Sequence, residues 1–167
     1  MRFYFKVLLL LAFSCQDDIQ TNNPTFQGLR HGDYVWKSTA RTATVQSTGI
    51  FNISGSDGYG TMVISLPDFS IGTFNLGPGK SPTVTYTENN ITYSTQNIGN
   101  EYPVYVGDGK VTIVSIDVVN KTITGSFYFN SYDESGFNYM NFSEGVFFKV
   151  PYICLLYTSP SPRDVPW

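Results

Sequence analysis

The sequence predicts an all-β domain: a single antiparallel, sandwich-like meander or partly open barrel of about nine or ten strands. Three observations predict it. Between Thr25 and Tyr152 side-chain character alternates with a period of two, in runs rich in β-branched and aromatic residues that suit a pleated, half-buried surface. Turn-forming clusters interrupt these runs at short intervals. No long window keeps apolar positions at helical spacing.

The strand runs include Thr61 to Leu66, Thr83 to Thr87, Ile91 to Thr95 and Lys110 to Ile116. Between and around them lie Gly32-Asp33, Ser56-Asp57-Gly58, Gly77-Pro78-Gly79, Glu88-Asn89-Asn90, Gly107-Asp108-Gly109 and Asn120-Lys121, all turn chemistry. Connections this short leave no room for parallel crossovers, so antiparallel pairing is expected throughout. A hairpin is predicted from Val111–Val118 and Thr122–Asn130 around Val119-Asn120-Lys121. In its second arm Ile123, Gly125, Phe127 and Phe129 share one face, while Thr124, Ser126, Tyr128 and Asn130 share the other. The final run, Tyr139 to Val150, continues the alternation, with Gly125 and Gly145 marking bulges or close backbone approach.

The two ends read differently from this domain. Residues 1–14 have the order of a secretory signal, with Arg2 and Lys6 before an apolar run from Val7 to Phe13 that is too short to cross a bilayer. Cys15 follows at the cleavage point, an arrangement that resembles the bacterial lipoprotein signal and implies lipid attachment at that sulfur. Gln16, Asp17 and Asp18 resemble the acidic sorting signal that sends lipoproteins of the Bacteroidota to the outer face of the outer membrane. Residues 15–24 then read as the lipidated cysteine and a polar tether, and 25–153 as the β domain. The segment 154–167 breaks the composition sharply, and Cys154 to Asp164 resembles a translated sequencing adapter, so 154–167 is expected to be a non-native tail.

Beyond the signal, Phe26 to Trp36 reads F-x-G-x-x-x-G-x-x-V-W, and late in the chain come G-K-V-T-I, I-T-G-S-F-Y-F and E-G-V-F-F. Together with the lipoprotein-type cysteine and spacer, these segments resemble a family of small Bacteroidota lipoproteins of unknown function. The resemblance implies a β-rich fold and a membrane address, here a lipid anchor in the outer membrane with the domain exposed at the cell surface. It brings no catalytic residue.

Composition narrows the chemistry. A net charge of −3 over 167 residues offers no basic footprint for nucleic acid. Two cysteines make neither a disulfide-dense scaffold nor a four-cysteine zinc site. His31 is the sole histidine, set in a turn beside Asp33 without a marked nucleophile, so a solvated turn residue is expected. Asp57, Asp108, Asp133 and Glu134 occupy Gly/Ser-rich turns but lack calcium-loop spacing, which favours turn capping. No cofactor, metal or catalytic group is expected.

Aromatic residues are the remaining lead, because amphipathic rings on a rigid sheet form stacking platforms for sugars or anchors for proteins. Tyr128 is the first candidate, since its neighbours Phe127 and Phe129 point inward and leave it outside. Tyr105 and Trp36 join it as candidate ligand-binding residues, although a large aromatic so early in a strand more often seals a core. The expected function is a surface-anchored, non-catalytic β domain that binds a glycan or an envelope protein, or serves as an envelope scaffold. The alternatives are a small extracellular hydrolase with a carboxylate pair and a lipocalin-like carrier of an apolar ligand.

Overall fold

The computed structural model describes residues 23–155, which are all-β, with eleven strands and no helix. The signal segment 1–14, Cys15, Gln16, Asp17, Asp18 and the tether up to residue 22 lie outside the described residues, as do residues 156–167 of the tail.

Strands β1 (Thr25–Arg30) and β2 (Tyr34–Lys37) form a hairpin around His31-Gly32-Asp33, in which His31 and Gly32 take positive φ values of 52° and 83°. After two residues the chain enters an antiparallel meander of β3 (Ala40–Val45), β4 (Phe51–Ser56) and β5 (Gly60–Leu66). Strand β6 (Gly72–Leu76) leaves this meander, which resumes with β7 (Thr83–Glu88) beside β5 and β8 (Ile91–Ser94) beside β7. The long strands β9 (Asp108–Asp117), β10 (Thr122–Tyr132) and β11 (Tyr139–Cys154) complete the fold, and β6 pairs with β9.

All eleven strands belong to one mixed sheet in the order β2-β1-β11-β3-β4-β5-β7-β8-β10-β9-β6, with a further β10–β11 pairing. One edge of β11 pairs with β10, and the other pairs first with β1 and then, at its far end, with β3. The circuit returns at the opposite corner through one pair, Tyr132 with Ser94. The sheet therefore doubles over, and its two halves face each other. Trp36 of β2 meets Tyr86 of β7 with ring centroids 6.3 Å apart, and Tyr86 meets Phe142 of β11 at 5.1 Å. Phe26 of β1 lies against Gly55 of β4, where a β-carbon would collide with its ring.

The expectation of wholly antiparallel pairing is corrected at one place, where β11 and β3 run parallel over Tyr152–Cys154. Short connections forbid parallel pairing only between consecutive strands. These two strands lie near opposite ends of the domain, and the sixteen-residue β11 outruns its six-residue partner β1 and reaches β3 beyond it. Strand β11 also continues through Cys154, and the Leu155 N–H donates to the Val45 carbonyl at 2.8 Å. Backbone bonding of this kind asks little of side-chain identity, so sheet structure extends past residue 153.

Alternation in β10 is regular: Ile123, Gly125, Phe127 and Phe129 are buried, while Tyr128 is half exposed. Irregularity falls on its partners: β9 carries one extra residue opposite Thr124 and Gly125, and β11 carries two. Register slips by one residue near Glu144 and again near Lys149, which have φ values of 49° and 48°, and the Lys149 N–H donates to Thr124 Oγ1 at 3.1 Å. These are bulges that bend β11 as it passes from one half of the sheet to the other. Gly125 and Gly145 sit beside the slips, and a β-carbon on either would strike a phenylalanine ring, Phe147 or Phe127 respectively.

Candidate functional site: an aromatic cleft between two loops

Past β8 the chain makes an excursion from residue 95 to 107 before entering β9. Its base is a short ladder in which the Gly107 N–H donates to Asn97 O at 3.0 Å, Ile98 bridges to Val106, and the Gly99 N–H donates to Tyr105 O at 2.7 Å. The tip, residues 100–104, carries Tyr102 and Pro103, joined by a cis peptide bond. Asn97 Nδ2 donates to Tyr132 O at 2.9 Å, which ties the excursion to the end of β10.

The facing wall is the 133–138 turn between β10 and β11. Asp133 organises it by accepting from Ser135 Oγ at 2.8 and 2.9 Å, from Asn138 Nδ2 at 2.8 Å and from the Asn138 N–H at 3.2 Å. Those hydrogen bonds, led by the Asn138 side chain, hold the Asp133 carboxyl below the ordinary aspartate range. The Asn100 N–H donates to Gly136 O at 2.9 Å and joins the two walls. Gly136 is required there, since its φ is 75° and a β-carbon would sit 2.8 Å from the Asn100 nitrogen.

Between the walls lies a cleft of about 340 Å³ lined by Gly99, Glu101, Tyr102, Pro103, Tyr105, Tyr132, Gly136, Phe137 and Tyr139. Its rings are presented to solvent: Tyr102 is 98% exposed, Tyr105 64%, Phe137 62% and Tyr139 59%. Tyr132 also lines the cleft, and burial first, then nearby Asp108, pushes its phenol above the ordinary tyrosine value. It stays neutral at physiological pH and keeps a donor O–H. His31 flanks the rim, its ring edge-on to Tyr139 with centroids 5.3 Å apart.

The structure separates the three aromatic candidates. Tyr105 lines the cleft. Tyr128 stands on the outer face of β10, 48% exposed, beside a smaller pocket of about 240 Å³ with Lys110, Thr112, Ser126 and Glu144. Trp36 is fully buried against Phe26, Tyr86 and Phe142, so it is a core residue, and a ring without exposed surface offers no stacking face. Phe137, by contrast, belongs to a turn, where strand alternation carries no signal. The signal that could have exposed it is the density of rings in E-Y-P-V-Y and S-G-F-N-Y, where neither segment alternates and the aromatics have no core to fill.

Asp57 and Asp133 cap turns as expected, whereas Asp108 is corrected to the first residue of β9, where it accepts from Asn130 Nδ2 across the strands at 2.7 Å. Asp57 Oδ1 accepts from the Tyr59 and Gly60 N–H groups at 2.9 and 2.7 Å, and Asp117 accepts from the Val119 and Asn120 N–H groups at 3.0 and 2.9 Å. Among the described residues, no group of three or more His, Cys, Asp or Glu is placed to hold a metal ion.

Fold and cleft together define a small all-β domain with an exposed aromatic recess between two docked loops. The chain belongs to the family described as a domain of unknown function, DUF6252, which matches residues 22–151. No curated protein and no solved structure matches the chain.

Proposed function

We propose that this protein is a lipoprotein anchored through Cys15 in the outer membrane, with Gln16, Asp17 and Asp18 directing it to the cell surface. Its β domain is a non-catalytic binding module that takes a glycan in the aromatic cleft. The observation that carries the binding role is the convergence of Tyr102, Tyr105, Phe137 and Tyr139, all more than half exposed, on one recess. Rings left in water at such density lose nothing by stacking on the apolar faces of sugars, and their phenols hydrogen-bond hydroxyl groups. Glu101 is the carboxylate among the lining residues, whereas glycoside hydrolysis generally uses two facing carboxyls. Exposed Ile98, Val104 and Val106 on the same excursion favour an envelope protein as the second reading.

Native gels containing soluble xylan, mannan or β-glucan test the binding role. Retardation of the wild-type protein in at least one gel, lost in the Tyr102→Ala/Tyr105→Ala double variant with its melting temperature unchanged, is the expected result. Equal mobility of both proteins in every gel overturns it. Labelling with radioactive palmitate should mark the full-length wild type in cells and vanish in Cys15→Ser; labelling that persists in Cys15→Ser refutes the anchor.

A further inference from the structure

We infer that the ligand is an extended neutral polysaccharide chain, bound along the outer face of β10 from the aromatic cleft to a second contact at Tyr128, an inference that rests on the glycan reading of the cleft. The register of β10 carries it. Every one-residue slip in its ladders adds the extra residue to β9 or β11, so β10 itself stays regular, and Tyr128, Asn130 and Tyr132 project from one face. Tyr132 lines the cleft and Tyr128 lines the smaller pocket. At the rise of a β-strand they are about 13 Å apart, the length of about three linked sugar rings.

Between the two tyrosines the surface is polar and fixed. Asn130 Nδ2 donates to Asp108 Oδ1 at 2.7 Å, and Asn141 Nδ2 donates to Asn130 Oδ1 at 2.7 Å. An aromatic contact at each end with locked amides and a carboxylate in the middle matches a polymer that presents ring faces and hydroxyl groups in turn. A compact ligand would fill the cleft and leave Tyr128 unused.

Charge selects the class of polysaccharide. Glu101 in the cleft, Asp108 at the middle and Glu144 beside Tyr128 face one lysine, Lys110, along the same track. Carboxylates that close would oppose a polyuronate or a sulfated chain. They also accept hydrogen bonds from sugar hydroxyls, so a neutral chain gains where an acidic one loses.

Calorimetric titration of the purified protein with xylo-, manno- and cello-oligosaccharides of two to eight residues, with oligogalacturonate as the acidic comparison, tests the inference. Affinity in the bound series should rise at least tenfold between the dimer and the hexamer. Tyr128→Ala should weaken hexamer binding at least fivefold and leave dimer binding unchanged. Affinity independent of length, equal loss for dimer and hexamer, no loss for either, or preference for oligogalacturonate would each overturn the extended track while leaving the cleft a glycan site. Failure of every series to bind, or saturable capture of an envelope protein through the cleft instead, would remove the glycan reading and the track together.

Discussion

Asp133 shows how one side chain sets the shape of the recess. Three donors, the Ser135 hydroxyl and the Asn138 N–H and side-chain amide, converge on its carboxylate, and the turn they close carries Phe137 and meets the opposite wall at Asn100. Because the folded state holds this carboxyl below its ordinary value, the ionised form contributes stability above about pH 3.9, the value in an unfolded chain, and that contribution fades as pH falls through the lower folded value. Asp133→Ala should therefore melt below the wild type at pH 7, and the gap should narrow below about pH 4; a gap that stays constant down to pH 2 refutes the assignment. The role of Asp133 as a cap was legible in D-E-S-G, since turn aspartates commonly accept from residues just ahead. Its consequence for the cleft was not, because the Gly136 to Asn100 contact joins segments far apart in sequence.

At the scale of single elements, alternation was the readable signal and it located β10 well. Phe127 and Phe129 face the core and Tyr128 faces out, as a period of two requires. Alternation also marks the final strand from Tyr139, but it shows neither the two bulges of the sixteen-residue β11 nor that this strand serves β10, β1 and β3 in turn. A bulge shifts the side-chain phase by one residue, so period counting fails just where the strand bends between halves of the sheet. Gly125 records how tightly these strands are drawn together: a β-carbon there would strike the Thr112 carbonyl oxygen and the Phe147 ring. Gly125→Ala should cost roughly 2–3 kcal/mol, read as a lowered midpoint in urea unfolding, because the obstruction includes backbone and has no free rotamer to move aside. An unchanged midpoint would show that the ladder is looser than this packing implies.

For the whole molecule, the doubled-over sheet is fastened at two corners and across one open end. The corners are the β11–β3 pairing and the Tyr132–Ser94 bridge. Across the end, Arg30 of β1 donates from its two terminal guanidinium nitrogens, Nη1 and Nη2, to the carboxylate of Glu88 of β7 at 2.8 and 2.7 Å, over the Tyr86 ring. The hydrogen bond to Glu88 raises the Arg30 pKa, and burial foremost, then the charge on Glu88, raises that of Tyr86. No local pattern pairs Arg30 with Glu88, and none brings the 95–107 excursion against the 133–138 turn; both depend on the closure of the sheet. Fold class was therefore readable from composition and periodicity, whereas the cleft emerges only when distant loops meet. Adding a bound xylo-, manno- or cello-hexasaccharide to the isotopically labelled protein and following every backbone amide by nuclear magnetic resonance tests the central claim most directly. Shifts concentrated in residues 99–105 and 132–139, and extending to Tyr128, are the predicted result. Shifts confined to the β3–β5 meander, or none at saturation, would contradict it.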